Sequence, residues 1–263
     1  MYERLMPKRR ACDLGALGAI FFLSFLSLGA LSASCWALSA REILIHADRA
    51  RGNLDGVVWR LAIESDEQSG RDRRNLEIKA RGYDFLAVMT DPPKVQGHKL
   101  LMVNHNMWFA KPGLSKPVPI SPRQKLIGGA SYGDIAATNY AEDYDVLSMT
   151  EESLGGHPCY VFDLKAAHKK VTYDRIKYWV SAERLVGIRA EYYTLSEKKF
   201  KEAEFEYAHQ LGGSAGQAPQ PFISAMKIVE VLAADNVTTL RFSEPRMETV
   251  PASTFNVNLL MSR

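Results

Sequence analysis

Histidines, three cysteines and a run of carboxylates are the residues in this 263-residue chain whose types could carry chemistry. His98 and His105 stand seven positions apart along what reads as one strand, so they point to opposite faces and cannot share a metal. His157-Pro158-Cys159 offers two ligand types with no third nearby, short of a zinc set. Asp134 and His105 can be drawn as an acid–base pair, but nothing in the spacing fixes them together. The chain has no Gly-x-Ser-x-Gly, no Gly-rich phosphate loop, no His-Glu-x-x-His and no Cys-x-x-Cys. The expectation is therefore no catalytic residue, no metal and no cofactor: a protein that is not an enzyme.

The amino terminus sets the compartment. Arg4, Lys8, Arg9 and Arg10 precede an uncharged stretch from Leu14 to Ala40, apolar through Ala33 and ending in small residues. That order is an export signal over residues 1–37, cleaved after Ala37 or Ala40. The uncleaved alternative is a membrane anchor, since the run is long enough to span. Either outcome places residues 38–263 outside the cytoplasm, as one domain. Cys35 lacks the aliphatic residue that a lipidated cysteine normally has three places earlier, where Ser32 stands. Loss of the signal removes Cys12 and Cys35, leaving Cys159 without a disulfide partner and suited to core packing. The whole chain carries a net +3; four Lys/Arg and two Asp/Glu precede residue 38, leaving the remainder at +1. That balance is no nucleic-acid footprint.

Beyond the signal, Leu38 to Ala50 reads as a helix. Ser39 and Glu42 make a capping box, and Ile43, Leu44 and Ala47 form the apolar stripe. Period-two segments follow: Val57, Trp59, Leu61, Ile63; then Leu76, Ile78, Ala80; then Tyr83, Phe85, Ala87, Met89; then Lys99 to Phe109. Gly82 is read as a bulge. Further strands carry Tyr160, Phe162, Leu164; Ile176, Tyr178, Val180; Val186, Ile188, Ala190, Tyr192; and Ala203, Phe205, Tyr207. Met226–Leu232 and Thr238–Phe242 add two more. Pro251 to Leu260 reads as a short helix capped by Ser253 and anchored by Phe255, Leu259 and Leu260. Many strands and short polar turns predict a mainly β (α+β) fold: an antiparallel meander that twists and curls, with two or three short helices on its concave side.

One stretch breaks this rhythm. After Phe109 come Lys111-Pro112-Gly113, Pro117, Pro119 and Pro122, excluded from a sheet interior, then Gly128-Gly129 and a short helical pattern opened by Gly133-Asp134 with Asp134 as its cap. Irregular segments of this length are usually functional or disordered, and the aromatics favour function. From Val95 to Gly133 every formal charge is positive: Lys99, Lys111, Lys116, Arg123 and Lys125. From Asp134 to Glu152 every one is negative. The plain reading is two solvated loop faces; the sharper one is a basic lip that meets an anionic surface or a partner.

The order Asn106-Met107-Trp108-Phe109, Lys111-Pro112-Gly113-Leu114, Gly133-Asp134-Ile135-Ala136 resembles the bacterial outer-membrane lipoprotein-sorting family. These are the LolA/LolB-like periplasmic carriers, many of them uncharacterised. Leu38-Ser39-Ala40-Arg41-Glu42-Ile43-Leu44 is a weaker match. The layout covers most of residues 38–263, and only the central stretch is specific. The resemblance implies an open half-barrel that holds acyl chains of lipids or lipoproteins under a loop-and-helix lid, the segment Lys111–Asp134 here. The family's lid-closing arginine finds no match by sequence.

A wide open barrel has room for a ligand. Trp59, Leu61, Ile63, Phe85, Met89, Met107, Trp108 and Phe109 are the cavity candidates. Alternation favours Met107 and Phe109 inside, with Trp108 at the rim. Lys111, Lys116, Arg123, Lys125 and Asp134 are the candidates for a lid or partner loop. The expected function is a periplasmic carrier of acyl chains in lipoprotein sorting or lipid export, with peripheral membrane contact. The alternative is an adaptor that docks on an inner-membrane transporter through the basic loop and carries no lipid.

Overall fold

The computed structural model describes residues 38–261, other than 69, 137 and 213–217. The expected export signal, residues 1–37, and Cys35 lie outside the described residues. Among these, no helix is long and apolar enough to cross a membrane.

The chain enters through α1 (Ala40–Arg49), whose capping box is complete: Glu42 N–H donates to Ser39 Oγ, and Ser39 N–H donates to Glu42 Oε2. Ile43, Leu44 and Ala47 bury the predicted stripe. Gly52 ends the turn at φ +118, where a Cβ would press on the Trp59 ring at 3.1 Å.

Strands β1 (Val57–Glu67), β2 (Gly70–Arg81), β3 (Asp84–Asp91), β4 (Lys99–Val103), β5 (Asn106–Ala110) and β6 (Val118–Ile120) follow as antiparallel neighbours. Gly82 is the turn between β2 and β3 rather than a bulge; at φ +56 it takes the left-handed conformation the turn needs. The expected single strand from Lys99 to Phe109 is a hairpin. Asn104 and His105 both have positive φ, +49 and +58, and form its two-residue loop. No glycine marks the turn, but Asn and His enter this region more readily than most side chains.

Beyond β6 lie the small hairpin β7 (Lys125–Ile127) and β8 (Ala130–Ser131), then α2 (Tyr132–Ala136) and α3 (Tyr140–Asp143). Next come β9 (Tyr144–Leu154), β10 (His157–Ala166), β11 (Arg175–Ser181), β12 (Gly187–Tyr193) and β13 (Lys199–Glu206). The pair β14 (His209–Leu211) and β15 (Gln220–Phe222) leads to β16 (Ala225–Glu230) and β17 (Ala233–Met247). The acidic run after Asp134 is therefore not a loop throughout: its second half is the exposed edge strand β9.

Thirteen strands make one open antiparallel sheet in the order β6-β5-β4-β3-β2-β1-β17-β16-β13-β12-β11-β10-β9. It is two meanders rather than one, joined where β1 pairs with β17, Leu61 opposite Phe242. This order has a direct consequence. β6 and β9 are opposite edges of the sheet, so the chain between them, residues 121–143, must cross from one edge to the other. It does so on the concave face, where Ile127, Ala130, Ile135, Ala136, Tyr140 and Ala141 join α1 in the main core. A second cluster covers the other face: Val58, Leu101 and Ala110 pack under Val250, Phe255 and Leu260. The expected C-terminal helix is instead two short 3₁₀ turns, Ala252–Phe255 and Val257–Leu259, without a Ser253 cap; Leu259 stays exposed.

Candidate functional site

The crossing segment is a strap pinned by discrete polar contacts. Its hairpin tip rests on mid-sheet: Gly129 N–H donates to Thr238 Oγ1 at 2.8 Å. Gly128 sits so close that a Cβ would fall 2.2 Å from Thr238 Oγ1. Lys201, on the concave face in phase with Ala203 and Phe205, donates to Gly129 O at 2.8 Å and Asp134 Oδ2 at 3.0 Å. Asp134 Oδ2 also accepts from Ser131 N–H at 2.7 Å, and its Oδ1 from the Tyr173 hydroxyl. Asp134 thus lies inside α2 as a buried anchor, neither helix cap nor exposed partner contact. Farther along, Asn53 Nδ2 donates to Thr138 O and Asn139 Oδ1, and Ala141 N–H donates to Asp48 Oδ2 at 2.8 Å. Burial pushes the Asp48 carboxyl up to about 8.

Between strap and sheet lies an interior rich in phenols. Tyr140, Tyr144, Tyr173, Tyr178, Tyr192 and Tyr207 are all buried, and burial raises every one of these phenols, keeping them neutral. Tyr173 stacks on Tyr192 at 3.9 Å, and Lys201 lies over both rings. Arg51, 5% exposed, places its guanidinium 5.1 Å from the Tyr140 ring centre and 4.8 Å from that of Phe205. Its Nε and Nη1 have no hydrogen-bond partner.

A third group ties the two ends of the sheet together. His105 Nδ1, on the β4–β5 turn, lies 3.0 Å from Asp143 Oδ1, and His168 Nε2, after β10, lies 3.1 Å from the same atom. The partner of His105 is thus Asp143, not Asp134. Their ligand atoms all lie within 4.8 Å of one another, a spacing within reach of a metal ion. Lys170 N–H donates to His168 Nδ1, however, leaving the ring proton on Nε2 facing Asp143. The trio is a hydrogen-bonded clasp. Cys159 is buried on β10, away from it.

The sequence-derived cavity candidates divide. Trp59, Leu61, Ile63, Phe85, Met89 and Met107 share the main core at 0–4% exposure. Phe109 is half-buried between His98 and Tyr132. Trp108 faces the opposite side, against the C-terminal cluster. The basic candidates do not converge: Arg123 pairs with Asp174 at 2.7 Å and Lys125 with Glu67 at 3.0 Å, while Lys111 and Lys116 are exposed. Sequence reasoning missed Arg51, Asp48, Lys201, Asp143 and His168. A readable signal existed for Lys201, a lysine in step with core residues on a strand, and for the tyrosines at inward positions. Arg51, just past a helix end, carried none.

An open antiparallel half-barrel whose concave face is crossed by a helical strap is a LolA-like fold. A LolA superfamily protein from Nitrosomonas europaea superposes with a TM-score of 0.75 at 24% identity, over 84% of this chain and 99% of that one. A DUF1329 family protein from Desulfovibrio piger gives 0.70 at 19%, over 84% and 97%. An outer membrane lipoprotein-sorting protein domain from Vibrio parahaemolyticus gives 0.70 at 16%, over 84% and 97%. A family model described as "Uncharacterized protein" matches residues 82–262, and the chain belongs to that family. No curated protein matches the sequence.

Proposed function

We propose that the protein is an exported, non-enzymatic carrier that holds acyl chains of a lipid or lipoprotein between strap and sheet, and passes them across the periplasm. The observation that supports this most is the strap itself. It spans both edges of the sheet, is held by discrete polar latches together with its buried apolar residues, and supplies no strand to the large sheet, so in this reading it lifts as a unit and leaves the sheet paired. Trp59, Leu61, Ile63, Phe85, Met89 and Met107 would then become the wall an acyl chain meets, with a gain of about 0.8 kcal/mol per methylene buried. Export after cleavage at Ala37 fits the helix: it keeps Ser39 as the cap of α1, whereas cleavage after Ala40 removes it.

The test is native mass spectrometry on protein purified gently from its own host. A bound mass that resolves into phospholipid or acylated peptide is the expected result. A clean unliganded mass that persists after incubation with lipid vesicles refutes the carrier. The close packing of the six wall residues favours a second reading, an adaptor that docks on an inner-membrane transporter and carries nothing. Of the four basic candidates only Lys111 and Lys116 are free for such docking, and their charge reversal should abolish it.

A further inference from the structure

The carrier reading leaves open which chemistry the interior selects, and the unmatched polar atoms under the strap bear on that. Arg51 Nε and Nη1 lack partners, as do the Tyr178 and Tyr207 hydroxyls. All four can donate a proton to a hydrogen bond. Buried donors left unpaired are unfavourable, and a buried unpaired charge more so. The other interior cation, Lys201, is matched by Asp134. Asp48, the carboxyl near Arg51, accepts from Ala141 N–H at its Oδ2, and its Oδ1 has no hydrogen-bond partner, so it does not pair with Arg51 Nε or Nη1. Among Arg51, Lys201, Asp134 and Asp48, this leaves the Arg51 guanidinium without a paired anion, among phenols close enough for electrostatic interaction with it.

We infer that Arg51 is the receptor for an oxyanion, so that the cargo is an amphiphile whose anionic group, a carboxylate or a phosphate, enters the interior with its chain. A purely alkyl ligand would leave all four donors unpaired; an oxyanion offers acceptors and the missing charge together. The inference rests on the carrier reading.

Oleate, lysophosphatidate, neutral mono-olein and inorganic phosphate are compared by calorimetry on lipid-stripped protein, processed as its host processes it. The two anionic amphiphiles should bind at least about tenfold tighter than mono-olein. Arg51→Met should erase the difference between oleate and mono-olein, and Tyr178→Phe should narrow it. Equal affinity for oleate and mono-olein in the unaltered protein overturns the inference and leaves the carrier standing. Inorganic phosphate that binds as tightly as lysophosphatidate overturns the amphiphile and points to a free anion. No binding of any amphiphile removes the carrier reading, and this inference with it. If Arg51→Met does not fold, the comparison among ligands on the unaltered protein still decides.

Discussion

Replacing Lys201 with methionine should loosen the strap more than it disturbs the sheet. Methionine keeps most of the stem and removes the ammonium. Gly129 O loses its 2.8 Å donor and Asp134 Oδ2 its 3.0 Å counter-charge; Asp134 keeps only Ser131 N–H and the Tyr173 hydroxyl. Both members of the pair are almost wholly buried, with side chains 4% and 1% exposed. Breaking such a pair from one side costs about 3–5 kcal/mol, because the other charge stays buried and unmatched. Asp134→Asn should cost a similar amount from the other side. The double variant leaves no stranded charge, so its loss should fall about 2 kcal/mol or more below the sum of the singles. Urea denaturation of the four proteins measures this, and hydrogen exchange locates it. In Lys201→Met, protection should fall first in residues 125–143, before β1 and β17. Losses that add to within about 0.5 kcal/mol would refute the pair as the strap's anchor, since independent sites behave that way.

Other outcomes follow from the same geometry. Asp48 has a raised folded-state pKa, so the native state binds the extra proton between the unfolded value and about 8. The contribution of Asp48 to stability is therefore fully present below the unfolded value and lost as pH rises toward 8, by a few kcal/mol in order of magnitude. Asp48→Asn keeps an acceptor for Ala141 N–H and should flatten that slope between pH 5 and pH 8, read by thermal unfolding. A slope unchanged by Asp48→Asn counts against a buried carboxyl there. Gly133→Ala would bring a Cβ to 1.9 Å from Thr172 Oγ1 and should destabilise by about 1–3 kcal/mol, with partial rescue by Thr172→Ala. Trp108→Ala should loosen the C-terminal segment on the outer face, seen as faster proteolysis after Met247; an effect confined to lipid loading would contradict its placement. N-terminal sequencing of the exported protein should begin at Leu38, and a start at Arg41 would show that the α1 cap is lost on processing.

Much of the fold was written in local pattern. The capping box Ser39–Glu42 and the alternation of Val57, Trp59, Leu61 and Ile63 depend on neighbours within a few residues, so sequence determines them. The same alternation put Met107 on the inner face. Two errors had local causes as well. The Asn104-His105 turn uses left-handed backbone without glycine, and the acidic, exposed β9 lacks the one-sided apolar pattern that reveals a half-buried strand. What tertiary structure alone decided is which distant residues meet. Pairing of β1 with β17 sends β6 and β9 to opposite edges, and only that order forces residues 121–143 across the concave face. It brings Lys201 to Asp134, carries His105 and His168 to one carboxylate, and closes Tyr140 over Arg51. Charge and polarity are readable in a sequence. Whether a charge ends up buried, and against what partner, depends on long-range strand order, for which local periodicity holds no record.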